Sequence, residues 1–330
     1  METALRQLSP YLSRLSDGET GDRRLWATPV AEKFRANPDV ELVRDSDWSG
    51  YGQRAQWKVR DDVGALNPDN IRHHYTLYFE NSFPSFRILR DRFDRSDLRF
   101  QVGILAPLDI AFYCFGEIVF EDDSIVEACT EATLREIDKI AAQAGDEVVF
   151  QLETVGGLVS VARTPPEEQP EVARNMVANM IDVAARSPEG TRFGAHLCLG
   201  DFQHKALGHM DDARPIVELT NALAAGWPEG RVLEYVHAPF AAADEPPVAE
   251  EAFYEPLRDL RLPAATRFIA GFQHESLDLD GHRELLARIE RLSGREVDIA
   301  AACGLGRRPT DEEAFAQMRE TAALLGDEAP

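Results

Sequence analysis

The chain predicts an α/β fold, a (β/α)8 TIM-type barrel that is one strand short. Three observations carry that prediction. From about residue 98 onward, short apolar runs alternate with amphipathic stretches at a spacing of roughly 35–45 residues, the pattern of repeated βαβ units on a parallel sheet. The 330 residues match the length of one such barrel, so residues 1–330 read as a single domain. Right-handed crossovers repeated this often favour closure into a barrel, with an open doubly wound sheet as the competitor.

Taken in order, Ala4–Leu15 is apolar at mixed spacing, and Tyr11–Ser16 reads as a short strand running into Asp17-Gly18-Glu19. Residues 27–66 are rich in charge, Trp and Gly, and read as an irregular excursion over the barrel top. Residues 67–93 read as a helix interrupted near Pro84. Six further strands are expected at Phe100–Leu105, Glu147–Leu152, Arg192–Leu197, Val232–Val236, Arg267–Phe272 and Val297–Ala301. Helices are expected between and after them at 124–145, 169–187, 212–225, 250–260, 281–293 and 311–325. That makes seven strand candidates where a closed barrel has eight.

Composition narrows the function. The net charge of −23 argues against nucleic acid and against anionic membrane surfaces, both of which are held through Lys and Arg. No apolar run approaches the roughly 18 residues of a membrane span, and no signal peptide opens the chain. The four cysteines, Cys114, Cys129, Cys198 and Cys303, form no tight disulfide framework, so a reducing cytoplasm is the expected setting. Cys114 and Cys129 read as buried apolar residues. His204, His209 and His282 read as surface histidines, and His73 and His74 as structural residues of a helix.

The chemistry-bearing residues gather at the strand ends, where barrels of this kind build their active sites. In order these are Asp17 and Glu19, Gln151 and Glu153, His196 and Cys198, Glu234 and His237, Gln273 and His274, and Cys303. His196 and Cys198 are two residues apart, so on a strand they point the same way and can bind one ion. Cys303 closes the last strand. Zinc takes four tetrahedral ligands from sulfur, nitrogen and oxygen, and the fourth is expected from Glu234, with His237 as rival.

These motifs resemble the C-terminal catalytic barrel of cobalamin-independent methionine synthase, within the wider group that includes uroporphyrinogen decarboxylase. His196-Leu197-Cys198 resembles that family's His-x-Cys zinc motif. Ala302-Cys303-Gly304-Leu305 is similar to its closing Cys-Gly-Leu motif, and Leu233-Glu234-Tyr235 occupies the place of the strand bearing its zinc-binding glutamate. The resemblance therefore implies Zn2+ held by His196, Cys198, Glu234 and Cys303. Gly18-Glu19 resembles the turn whose carboxylate holds the homocysteine amine. Phe150-Gln151-Leu152-Glu153 is similar to a strand ending Gln-x-Asp-Glu-Pro, which implies substrate binding by Gln151 and Glu153. Gly271-Phe272-Gln273-His274 resembles the strand whose histidine donates a proton. The family's first strand and its N-terminal folate-binding half have no counterpart in these residues, so the expected barrel lacks or replaces its first strand.

The resulting expectation is a zinc-dependent methyl or alkyl transferase that activates a small thiol, homocysteine-like or other. Glu19 and Glu153 would hold an ammonium group on the acceptor, and His274 or His237 would manage protons near the methyl donor. A zinc-dependent lyase or hydrolase and a non-catalytic ligand-binding barrel are the alternatives. A homo-oligomer is expected, because an incomplete barrel leaves strand edges that need cover.

Overall fold

A computed structural model of the chain describes residues 1–18 and 27–326. Among them, seven parallel strands form one curled sheet: β1 (Arg14–Ser16), β4 (Arg99–Leu105), β5 (Val148–Thr154), β6 (Arg192–Leu197), β7 (Val232–Pro239), β8 (Arg267–Gln273) and β9 (Asp298–Ala301), in that spatial order. Two more, β2 (Val40–Arg44) and β3 (Gln56–Val59), pair antiparallel in a separate sheet. The fold is a TIM-type barrel short of one strand, as the seven candidates predict.

Long helices cover the outside for ordinary reasons. The helix Asp123–Ala144 starts at Asp122, whose side chain accepts from Ser124 N, and buries Ile125, Cys129, Ile137 and Ile140 along one face. The helix Asp311–Leu325 opens with a capping box between Thr310 and Glu313. It packs against the first helix, Glu2–Leu8, on the side where β1 and β9 are the sheet edges.

The interior shows how tightly the sheet curls. Tyr235 of β7 crosses the barrel: its hydroxyl donates to Gln151 Oε1 of β5 at 2.9 Å and lies 3.1 Å from Gln101 Oε1 of β4. The Arg14 guanidinium of β1 sits 4.0 Å above its ring centre. Two strand glycines make the room. A Cβ on Gly194 would lie 2.1 Å from Tyr235 Cζ, and one on Gly271 would lie 2.8 Å from His237 Nε2.

Several expected boundaries shift. The first strand is only Arg14–Ser16, because Ser9–Tyr11 forms a 3-10 turn. The helix expected from residue 67 begins at Tyr75 and runs through Pro84 to Arg92. Pro68 opens a short 3-10 turn, and His74 precedes the helix in the left-handed region at φ 65°. His73 and His74 are therefore not helical. β7 runs three residues past the expected Val236. Two helices on the rim, Pro107–Phe115 and Gly156–Arg163, were not anticipated. The 27–66 excursion has more order than expected. It contains the helix Ala27–Glu32 and the β2–β3 hairpin, and it buries Val30, Phe34 and Trp57 against Ile110, Cys114 and Phe115.

Candidate metal centre

The sheet brings His196, Cys198 and Cys303 together at its C-terminal rim. Each offers one donor atom, and the three atoms lie within 4.8 Å of one another. His196 and Cys198 share a face of β6, whose ladder continues past Leu197 through Cys198 N donating to Thr154 O at 2.9 Å. Cys303 lies in the turn after β9. The Cys198 thiol donates to the Cys303 sulfur across 3.8 Å and accepts from Gly200 N at 3.3 Å. Two sulfurs on one tetrahedral zinc at bond lengths of about 2.3 Å stand about 3.8 Å apart, so the pair already has the spacing of a zinc edge. His196 and Cys198 are buried, and Cys303 is half-buried.

The electrostatics of the two sulfurs diverge. The Cys198 thiol directed at it, the His196 ring and the Arg307 guanidinium hold Cys303 well below the usual thiol range, against burial. Cys198 is pushed well above that range by its bond to Cys303 and by burial.

Glu153 of β5 is the register partner of His196. It is buried, accepts from Gln151 Nε2 at 2.8 Å, and burial raises its carboxyl above the ordinary range, against the pull of His196. His237 of β7 also pairs in register with His196, and their rings stack at 4.5 Å between centres. Its Nε2 contacts Ala301 O at 3.0 Å, and burial with the neighbouring His196 lowers its ring to about 3, so it is neutral. His237 is outside the three-donor cluster and stacks beside His196 from the neighbouring strand.

Glu234 is not brought to the cluster. It lies near the start of β7, where Arg192 Nε donates to it and Arg14 stands 3.6 Å away. The expectation that Glu234 supplies the fourth ligand is corrected on that ground: its carboxylate neutralises two arginines at the opposite end of the strand. Among the described residues, no fourth side chain joins the three donors. Glu19 lies outside the described residues.

His274 is buried just beyond β8, with Nδ1 accepting from Ser276 N at 3.1 Å and Nε2 3.2 Å from Ala243 O. Burial lowers its ring below the usual histidine range.

A second polar cluster beside the sulfurs went unread in the sequence. His204 stands between Asp201, 3.5 Å from Nδ1, and Glu275, 2.9 Å from Nε2. Glu275 also accepts from Gln317 Nε2 at 2.8 Å, with buried Arg308 3.5 Å away. Burial and the nearby Cys303 raise Asp201 to about 6. Gln203 and His204 both adopt left-handed backbone, at φ 53° and 57°, a strain that clusters at functional loops. His204 is therefore buried, not a surface residue, and so is His282, whose Nε2 accepts from His274 N. Asp201-x-x-His204 just after the His-x-Cys motif was the one available signal. Tyr51 of the excursion reaches the same loop, its hydroxyl donating to Lys205 O and accepting from Phe202 N, both at 2.8 Å.

No family model matches the chain, and no curated protein matches it in sequence. Solved structures match it in fold. A protein assigned as a vitamin-B12 independent methionine synthase from Listeria monocytogenes superposes with a TM-score of 0.55 at 14% identity, over 99% of this chain and 84% of that one. A B12-independent methionine synthase from a Shewanella species, solved with selenomethionine, gives 0.54 at 11% identity, over 97% and 84%. A methyltransferase from Methanosarcina mazei gives 0.51 at 12%, over 98% and 83%. At these identities the likeness is one of fold. Among the described residues, no helix is long and apolar enough to cross a membrane.

Proposed function

We propose that the chain is a zinc-dependent methyl or alkyl transferase acting on a small thiol. The single observation that carries this reading is the three-donor cluster of His196, Cys198 and Cys303, whose sulfurs stand at the spacing of one tetrahedral edge. Three protein donors leave one position for a substrate, the arrangement of catalytic rather than structural zinc. A zinc ion held there would supply a Lewis-acidic centre at which an acceptor sulfur persists as thiolate at neutral pH.

The surrounding residues then have distinct tasks. His237 fixes the His196 ring by stacking beside it. Gln151, itself held by Tyr235, orients Glu153, and this carboxyl faces the cluster as the group that holds an acceptor ammonium. Glu19 is assigned the same task from its sequence motif alone. His274, with Nε2 3.7 Å from Glu275, manages the proton on the donor side. The fold likeness to methionine synthase and methyltransferase structures supports the transfer chemistry at the level of architecture.

The test is a thiol titration of cobalt-substituted protein with homocysteine as probe. A growing sulfur-to-metal absorption supports the reading, and a spectrum that stays unchanged sinks it. A second reading, zinc-dependent hydrolysis or elimination, is favoured by one observation: a buried carboxyl with raised affinity for protons beside an open metal position suits water activation. The same titration separates the two, since only a thiol acceptor adds a sulfur ligand.

A further inference from the structure

We propose that Cys198 and Cys303 form a peroxide-sensitive dithiol that closes to a disulfide whenever no metal holds the two sulfurs. The sulfurs stand 3.8 Å apart with the Cys198 thiol directed at Cys303. A disulfide needs them ~2 Å closer. The two ends differ in freedom. Cys198 continues the β6 ladder through its bond to Thr154 O, whereas Cys303 lies in a turn after β9, a four-residue edge strand. The closing movement therefore belongs to the Cys303 turn.

Roles follow from exposure. Cys303 is half-buried and open to a small oxidant, while Cys198 is buried behind it. In the first step the Cys303 thiolate attacks one peroxide oxygen. The O–O bond breaks, hydroxide leaves and takes up a proton as water, and Cys303 becomes a sulfenic acid. In the second step the Cys198 sulfur attacks the Cys303 sulfur. The S–O bond breaks, and the oxygen leaves as water with the Cys198 proton. Two thiols are oxidised to one disulfide and one hydrogen peroxide is reduced to two waters. Cys114 and Cys129 are an internal control: both are fully buried in the apolar core under the excursion, and burial raises both thiols.

The dithiol chemistry stands on the sulfur geometry alone. Only the protective role of a metal rests on the zinc reading, since an ion bonded to both sulfurs removes the nucleophile and fixes the pair. Closure would withdraw two of the three donors and switch off metal uptake until a reductant reopens the bond.

The experiment treats the full-length wild-type chain, stripped of metal by chelation, with hydrogen peroxide. Free thiols are then blocked with iodoacetamide, and tryptic peptides are mapped. The expected result is a peptide pair joined through Cys198 and Cys303, reversed by dithiothreitol, with Cys114 and Cys129 alkylated. A chain with no such pair, or one crosslinked through Cys114 or Cys129 instead, overturns the proposal. A parallel arm preloads zinc. Slower crosslinking supports the metal's protective role. An unchanged rate refutes zinc at these sulfurs while the dithiol assignment stands.

Discussion

Replacing Gly194 with alanine tests whether the barrel interior is built as described. A Cβ at this position would lie 2.1, 2.2 and 2.5 Å from three carbons of the Tyr235 ring. Ordinary carbon contacts are about 3.5–4.0 Å, so the overlap exceeds an ångström. The ring cannot swing aside cheaply. Its hydroxyl is bonded to Gln151, Arg14 caps its face, and its own strand is paired on both edges. Overpacking of a fixed core costs about 1–3 kcal/mol, and this overlap belongs at the upper end, about 3 kcal/mol. Equilibrium urea unfolding followed by tryptophan fluorescence reads the loss as a lower midpoint. Gly190→Ala is the control. That glycine has φ +82° with nothing within 4 Å, so its alanine meets only the left-handed penalty of roughly 1–2 kcal/mol. A Gly194→Ala protein within about 0.5 kcal/mol of wild type would refute the placement of Tyr235, and with it the support assigned to Gln151 and Glu153.

Glu234→Gln should cost about 2 kcal/mol in the same assay, because it leaves Arg14 and Arg192 without their shared carboxylate, and it should leave zinc content unchanged. A loss of zinc in this variant would restore Glu234 as a ligand. His237→Asn should soften acid unfolding of the metal-free chain. The folded ring holds off its proton until about 3, whereas the unfolded chain takes it up near the ordinary value of 6.5. This contribution to stability is full above pH 6.5 and is lost as pH falls toward 3. Removing one such group should therefore lower the slope of stability against pH in that window by about 1.4 kcal/mol per unit. Urea midpoints at pH 7, 6, 5 and 4 measure it, and an unaltered slope counts against a neutral His237.

Much of the architecture was legible because the parallel strands are apolar on both faces and their spacing is regular. The His196-Leu197-Cys198 pair was legible for the same reason, since a two-residue step on a strand fixes which side both residues face. Glu234 was misplaced by a boundary. Ending β7 at Val236 puts residue 234 near the rim, but the strand runs on to Pro239 and slips register against β6 between Phe193 and Gly194. The rim position therefore falls to His237, and Glu234 drops to the register slip opposite Phe193 and Gly194, where its side chain meets Arg192. The cluster of Asp201, His204, Glu275 and Arg308 was out of reach because loops assemble it. Residues more than a hundred positions apart meet there through turns that carry no periodic signal. The excursion was hidden by its charge: only the hairpin pairing shows that Trp57 and Phe34 form a small core with the helix after β4.

The most direct test of the central claim is the zinc content of purified protein, wild type beside the Cys198→Ser/Cys303→Ser double variant. The three-donor site predicts about one zinc per chain in the wild type and none in the variant, with far-UV circular dichroism unchanged. A wild-type chain that takes up no zinc, or a double variant that keeps it, would contradict the account.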